Sequence, residues 1–135
     1  MDVHHFIKAV LAQDEDTIRS YFHKDAYVNW HCSNEHFTVD EFIIANCEYP
    51  GDWDGTIERV EQMDNLYITA TKVYPKDRSA FFHVVSFIRT ENGKLLQWMS
   101  IGQMTEMPHN GDWTNTSEPL FSKIPRLESK GGALC

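Results

Sequence analysis

The stretch from Thr56 to Met104 constrains the fold more than any other part of the chain, because it predicts four consecutive strands with no helix between them. Asp64-Asn65 and Asn92-Gly93 suit two-residue hairpins that require positive φ, and Pro75 to Ser79 suits a longer loop. The strands are expected at 56–63, 66–74, 80–90 and 95–104. Strands joined this directly pair antiparallel, so the stretch predicts an antiparallel sheet.

The residues before this sheet predict helices. Asp2 is placed to cap a first helix, and Asp14 a shorter second one. The apolar positions of the first helix fall on one stripe, formed by Val3, Phe6, Ile7, Val10 and Leu11. A short strand is expected at 26–31, between the second and third helices.

The third helix has the clearest signature in the chain. Thr38 and Glu41 match a capping box, and Phe37 and Phe42 occupy the two places of a hydrophobic staple, so the helix is expected to begin at Val39. Pro50-Gly51 ends it. Helices followed by a run of strands predict an α+β class, with the helices packed against one face of the sheet.

The length and net charge of the chain limit the kinds of partner that it is expected to bind. The 135 residues suit one domain, and the net charge of -8 disfavours nucleic acid and anionic membrane surfaces. The N-terminus has no apolar signal region and no window suits a membrane span, so a cytoplasmic location is expected. The three cysteines lack C-x-x-C spacing, so neither a disulfide framework nor a zinc ribbon is predicted. No cofactor is expected.

The C-terminal part differs from the rest, because prolines and glycines interrupt every periodic pattern after Thr105. The domain is therefore expected at 1–107 and an extension at 108–135. The apolar residues between Trp113 and Ile124 suit docking on the domain or on a second subunit. The last residues, 129–135, are expected to be mobile.

Aromatic and polar residues are mixed along the predicted strands where hydrocarbon alone would fill a core, and this is typical of a sheet that lines a ligand pocket. On the last strand one face carries Leu96, Trp98, Ser100, Gly102 and Met104. Trp98 supplies apolar area and one donor, and the alternative is plain core packing. The predicted ligand-binding residues are Trp30, Trp53, Tyr67, Trp98 and Ser100.

Two ionisable residues are candidates for catalysis. The strand around His83 is apolar on both faces, which predicts that His83 is buried whichever way it points, and a buried histidine can serve as a general base. Asp54, near the expected pocket mouth, is the candidate that orients it. The alternatives are a core histidine and a surface turn aspartate. The segment from His31 to His36 holds ligand-type side chains without an established metal spacing, so no metal site is predicted.

Three segments resemble the nuclear transport factor 2-like (NTF2-like) superfamily, specifically its SnoaL-like branch. Residues 25–31, Asp-Ala-Tyr-Val-Asn-Trp-His, look like the start of its first strand, and residues 46–55 look like the end of its third helix. Residues 82–87, followed by Asn92-Gly93-Lys94, look like its central hairpin. The resemblance implies a cone-shaped, cystatin-like α+β fold, with a curved sheet wrapped by three N-terminal helices around a pocket. It also implies a homodimer formed through the sheet.

The departures from this family shape the functional hypotheses. In the related steroid isomerases the first strand carries a catalytic Asp followed by Pro, and Trp30 and His31 stand at those positions here. The first hypothesis is a protein that binds an apolar or aromatic small molecule. The second is an isomerase, dehydratase or cyclase acting on a carbonyl compound, with His83 as general acid/base, Asp54 orienting it, and Trp98 or Ser100 donating to an oxyanion. The third is a structural dimerisation module.

Overall fold

The computed structural model describes residues 1–105, which form three helices and one six-stranded sheet. The helices are α1 (Val3–Ala12), α2 (Glu15–Tyr21) and α3 (Val39–Cys47). The strands are β1 (Phe22–Trp30), β2 (Glu35–Thr38), β3 (Trp53–Met63), β4 (Leu66–Pro75), β5 (Phe81–Glu91) and β6 (Lys94–Thr105). The predicted extension at 108–135, with its docking segment, lies outside the described residues.

Each helix begins where its capping residue predicts. The side chains of Asp2, Asp14 and Thr38 accept hydrogen bonds from the backbone N–H three residues later. In α3 the Thr38 hydroxyl also donates to the Glu41 carboxylate at 3.1 Å. Trp30 contacts both residues of the predicted staple, with ring centroids 4.8 Å from Phe37 and 5.8 Å from Phe42. These local interactions fix where α3 leaves the sheet. No helix of residues 1–105 is long and apolar enough to cross a membrane.

The sheet is mixed, with strand order β2-β1-β6-β5-β4-β3. Strands β3 to β6 pair antiparallel with their chain neighbours as predicted, whereas β1 pairs parallel with β6. Strand β2 was not predicted, and it pairs antiparallel with β1. The α+β class, with helices packed against a sheet, is therefore confirmed. Strand β2 and the parallel β1–β6 pair were not predicted, because both depend on contacts between distant parts of the chain.

The two faces of the sheet differ. The inner face packs against α1 and α3, and the buried stripe of α1, including Phe6 and Val10, lies over it. The outer face carries no helix among residues 1–105. A bulge in the β5–β6 ladder leaves Leu95 buried in the core and Leu96 only half-buried, so the predicted inward set on β6 is wrong at its first member.

Candidate functional site

A row of three hydroxyl groups crosses the inner face of the sheet. Thr69 on β4 pairs directly with Ser86 on β5, which pairs with Ser100 on β6. All three residues are buried. Because directly opposite residues of an antiparallel pair hold their Cβ atoms about 4.5–5.5 Å apart, the three side chains form one continuous polar stripe across the three strands. We call this stripe the hydroxyl row.

A cavity of about 50 Å³ lies between the inner face and helices α1 and α3. We call it the interior cavity. Its apolar lining consists of Ile7, Val10, Leu11, Phe42, Val73 and Val84. Its remaining lining consists of Trp30, Asn46, Thr71, Ser86, Trp98 and Ser100. One water needs roughly 10–15 Å³ of such space, so the cavity has room for a few waters or for one compact molecule.

Trp98 lines the interior cavity and packs against two other aromatic rings. Its ring is held edge-on between Phe6 and Phe42, with centroid separations of 5.2 Å and 5.1 Å. Its indole Nε1 is buried and has no acceptor among residues 1–105. The hydroxyl of Thr69, in the hydroxyl row, is likewise buried without a partner in this part of the chain. A buried donor without an acceptor costs free energy.

Side-chain amide groups link α1 and α3, the two helices that cover the interior cavity. The Asn46 side chain on α3 donates from Nδ2 to the carbonyl of Val10 on α1 at 3.0 Å. Gln13, at the end of α1, donates from Nε2 to the carbonyls of Asn46 and Tyr49, at 2.8 Å and 2.7 Å. These bonds hold the C-terminal ends of α1 and α3 together. They therefore set the distance between α1 and α3 at this end of the cavity.

No ionisable side chain lines the interior cavity within residues 1–105. The polar side chains among its lining residues carry hydroxyls, one amide and indoles, which donate or accept hydrogen bonds without changing charge near neutral pH. Such a lining stabilises a neutral polar group.

The structure brings three of the predicted ligand-binding residues together. Trp30, Trp98 and Ser100 all line the interior cavity. Trp53 lines a smaller adjoining cavity of about 10 Å³. Tyr67 is buried on the inner face beside Ile88, but it does not line either cavity.

No protein-family model matches the sequence, and no curated protein matches it. Solved structures do match. A putative ketosteroid isomerase from Kribbella flavida DSM 17836 superposes with a TM-score of 0.68 at 16% identity, covering 86% of each chain. An NTF-2 like protein of unknown function from Burkholderia xenovorans LB400 superposes with a TM-score of 0.66 at 19% identity, covering 77% of this chain and 80% of that one. The chain has the NTF2-like fold.

A third structure with the NTF2-like fold is a putative SnoaL-like polyketide cyclase from Shewanella putrefaciens CN-32, with a TM-score of 0.59 at 14% identity. It covers 71% of this chain and 73% of its own. The predicted fold is thus confirmed. Identities this low establish the fold alone, and one fold hosts many unrelated functions, so the function has to be argued from the cavity.

The prediction that His83 is buried is wrong. In this NTF2-like fold His83 lies on the outer face of β5, and half of its side chain is exposed. The inward positions of β5 are the alternate ones, Phe82, Val84 and Ser86. The apolar residues on the outer face of β5 suggested a second covered face, but no helix of residues 1–105 packs there. The interior cavity therefore does not include His83.

Asp54 does not orient His83. Its Oδ1 accepts hydrogen bonds from the Gly55 N–H at 2.8 Å and from the Lys8 Nζ at 3.2 Å. The Gly55 N–H, followed by the Lys8 ammonium, holds the pKa of Asp54 below its usual range. A carboxylate oxygen of Glu58 lies 4.0 Å from the His83 ring. Asp54 thus anchors α1 to the start of β3.

Sequence reasoning missed Thr69, Thr71 and Ser86, and it missed Asn46. A usable signal existed on β5, where Ser86 interrupts the apolar inward positions between Val84 and Ile88. The pairing of Thr69 with Ser86 and Ser100 requires the strand register, which the sequence does not state. No group of three or more metal-ligand side chains that could hold an ion occurs within residues 1–105.

Proposed function

We propose that the protein is a binding protein for a small molecule, that the ligand occupies the interior cavity, and that no acid/base reaction takes place there. The observation that carries the proposal is the lining. The buried residues Thr71, Ser86 and Ser100, which carry hydroxyl groups, line the cavity among apolar residues, whereas no ionisable side chain of residues 1–105 does. Few, well-placed polar groups in an apolar wall are typical of ligand sites.

The enzyme alternative depends on His83 and Asp54, and neither residue lines the interior cavity. His83 is exposed on the opposite face of the sheet, and Asp54 bonds to Lys8. A general base has to come within hydrogen-bond reach of the proton that it removes. This separation supports binding over catalysis.

Filling the interior cavity is expected to abolish ligand binding. Ser86→Val replaces a hydroxyl on the cavity wall with a bulkier apolar group. A screen of neutral fragments by ligand-observed NMR is expected to find compounds that bind the wild-type protein. Such a compound, at 100 times its Kd, raises the free energy of unfolding of the wild type by about 2.7 kcal/mol. Thermal unfolding with and without the compound should show this increase for the wild type and none for Ser86→Val.

Thr56→Val is the matched control, because Thr56 is exposed on the outer face and away from the cavity. This variant should bind the same compounds as the wild type. Hits that bind Ser86→Val as well as the wild type, or a screen without hits, would refute the proposal. A dimer without any ligand would then favour the structural dimerisation module.

We also propose that the protein forms a homodimer through the outer face of the sheet. Val85 and Ile101, which pair with each other there, are 39% and 48% exposed. Ile68, Ala70, Phe87 and Met99 surround them on three adjacent strands and are half-buried. A groove of about 300 Å³ adjoins them, with Phe87 and Met99 in its wall. A contiguous apolar surface of this kind is typical of a protein interface, and a second copy of the same face would cover it.

A charge at the centre of this face is expected to dissociate the dimer. Ile101→Glu would bury two symmetry-related carboxylates without partners, so light scattering at about micromolar concentration should give a dimer mass for the wild type and a monomer mass for the variant. Ile44→Glu is the matched control, because Ile44 is 57% exposed on α3. It should remain dimeric. A monomeric wild type would overturn the proposal.

A further inference from the structure

We infer that residues 113–124 of the same chain dock on the outer face of the sheet, over the side chains of Tyr74 and Phe81. We call these two residues the aromatic pair. The inference is independent of the interior cavity, because the aromatic pair lies on the opposite face of the sheet. It names a docking surface on the domain and the segment that occupies it.

The aromatic pair is buried on a face where exposure is expected. Val73 and Phe82 pair with each other and belong to the packing of the inner face, so their neighbours Tyr74 and Phe81 point to the outer face. The two rings lie 5.5 Å apart. Only 9% of Tyr74 and 6% of Phe81 is exposed, although neither residue belongs to the hydrophobic core.

The described residues supply only part of this cover. No helix of residues 1–105 packs on the outer face, and Val85 and Ile101 at its centre are 39% and 48% exposed. Lys72 places its Nζ 4.2 Å from the centroid of one ring of the aromatic pair, and Arg78 places its guanidinium 4.8 Å from that of the other. A cation in this position covers one side of a ring. The remaining cover therefore comes from the chain beyond the described residues.

The chain leaves the sheet beside the aromatic pair. Thr105, the last residue that the structure describes, pairs with Phe81 across the β5–β6 ladder. Asn110-Gly111 follows and is typical of a tight turn, which returns the chain toward the sheet. The eight residues that lead to position 113 span up to about 26–29 Å, which is ample for this return. The large apolar side chains that follow are Trp113, Leu120, Phe121 and Ile124.

The position of the aromatic pair favours a segment of the same chain over one from a second copy. A segment joined to the domain by a short connection meets its docking surface at an effective concentration on the order of millimolar, whereas a second copy first has to associate. Phe81 lies four residues before Val85 on β5, about 13 Å along the strand. The docked segment thus lies beside the proposed dimer surface and does not replace it.

Hydroxyl-radical footprinting of the full chain, read by mass spectrometry, tests the inference. Tyr67 is the internal reference, because it is as little exposed as Tyr74 but lies in the hydrophobic core. In the wild type, Tyr74 is expected to be modified as slowly as Tyr67. The double replacement Leu120→Ser and Phe121→Ser removes apolar contacts of the docked segment, so modification of Tyr74 and Phe81 should become several-fold faster, with Tyr67 unchanged.

Leu134→Ser is the matched control, because Leu134 is apolar and follows the docking segment. This variant should leave Tyr74 as protected as in the wild type. Fast modification of Tyr74 in the wild type, or full protection of Tyr74 in the double variant, overturns the inference.

A mixture of isotope-labelled and unlabelled wild-type chains distinguishes docking within one chain from docking on a partner subunit. NMR is expected to show nuclear Overhauser effects between the aromatic pair and the side chains of residues 113–124 within one chain. Effects only between labelled and unlabelled chains would mean that the segment docks on the partner subunit, and the inference would be wrong. The same spectra decide the matter if the double variant does not fold, because the absence of any such effect also overturns the inference.

Discussion

Replacing Phe42 by alanine is expected to lower the free energy of unfolding by about 3–5 kcal/mol. Phe42 is completely buried, and its ring lies 5.8 Å from Phe22, 5.8 Å from Trp30 and 5.1 Å from Trp98. It is the residue through which α3 packs on these three rings. Removing it leaves a large void between helix and sheet, and rings held by several neighbours relax little into such a void. Urea unfolding followed by circular dichroism measures the loss.

Ile44→Ala is the matched control on the same helix. Ile44 is two residues from Phe42 and exposed to solvent, so its replacement should change the free energy of unfolding by no more than about 0.5 kcal/mol. A loss below about 1 kcal/mol for Phe42→Ala, or equal losses for the two variants, would mean that α3 does not pack on the sheet through Phe42.

A second large effect is expected from a very small change, Gly55→Ala. A Cβ atom at position 55 would lie 2.7 Å from the carbonyl oxygen of Lys72 and 2.9 Å from Cδ1 of Leu11. The Lys72 carbonyl belongs to the backbone of β4, so it cannot yield without distorting the β3–β4 ladder. The expected loss is about 1–3 kcal/mol of unfolding free energy, the usual cost of overpacking a tight interior site.

Thr56→Ala, at the next position on β3, tests whether the effect comes from the close approach. Thr56 points to the outer face and is exposed, so this substitution should cost less than about 1 kcal/mol. Hydrogen exchange adds a local readout, because Gly55→Ala should speed exchange of the β3 and β4 amides first. A Gly55→Ala protein as stable as the wild type would contradict the close packing of α1 on β3.

Helices and turns were predictable because their causes are local. Asp2, Asp14 and Thr38 cap the helices that the structure contains, and each cap joins atoms only three residues apart. The hairpins follow the same rule, since Asp64 has φ of 52° and Asn92-Gly93 has φ of 50° and 75°. Interactions that close within a few residues leave a recognisable pattern in the sequence.

Strand β2 and the β1–β6 pair were not predictable in this way. Residues 35–38 form a strand because they hydrogen-bond to β1. In the parallel pair, Val28 of β1 lies opposite Trp98 of β6, seventy positions later in the chain. A strand acquires its hydrogen bonds from whatever lies beside it, so a short edge strand has little signature of its own. The parallel pair is equally a product of the complete fold.

The candidate site was predictable in part. Trp30, Trp98 and Ser100 were expected to line a pocket, and the structure brings them together around the interior cavity. The hydroxyl row was not expected, because it is a property of the register of three strands. The burial of His83 was predicted wrongly, because the outer face of β5 carries apolar residues although no helix of residues 1–105 covers it.

Outside the bulge at Leu96, the alternation of residues along β5 and β6 already determined which side chains share a face, and the capping residues determined where each helix begins. Strands β1 and β3 begin earlier than predicted, at Phe22 and Trp53. Neither pattern specifies which face the helices cover. That choice depends on the packing of the buried stripe of α1 and of Phe42 against the inner face, a set of contacts between residues far apart in the chain. This packing places Ser86 and Trp98 on the inner face and His83 on the outer face. Period-two alternation shows only that Ser86 and His83 lie on opposite faces of the sheet, and the helices decide which of the two faces is buried.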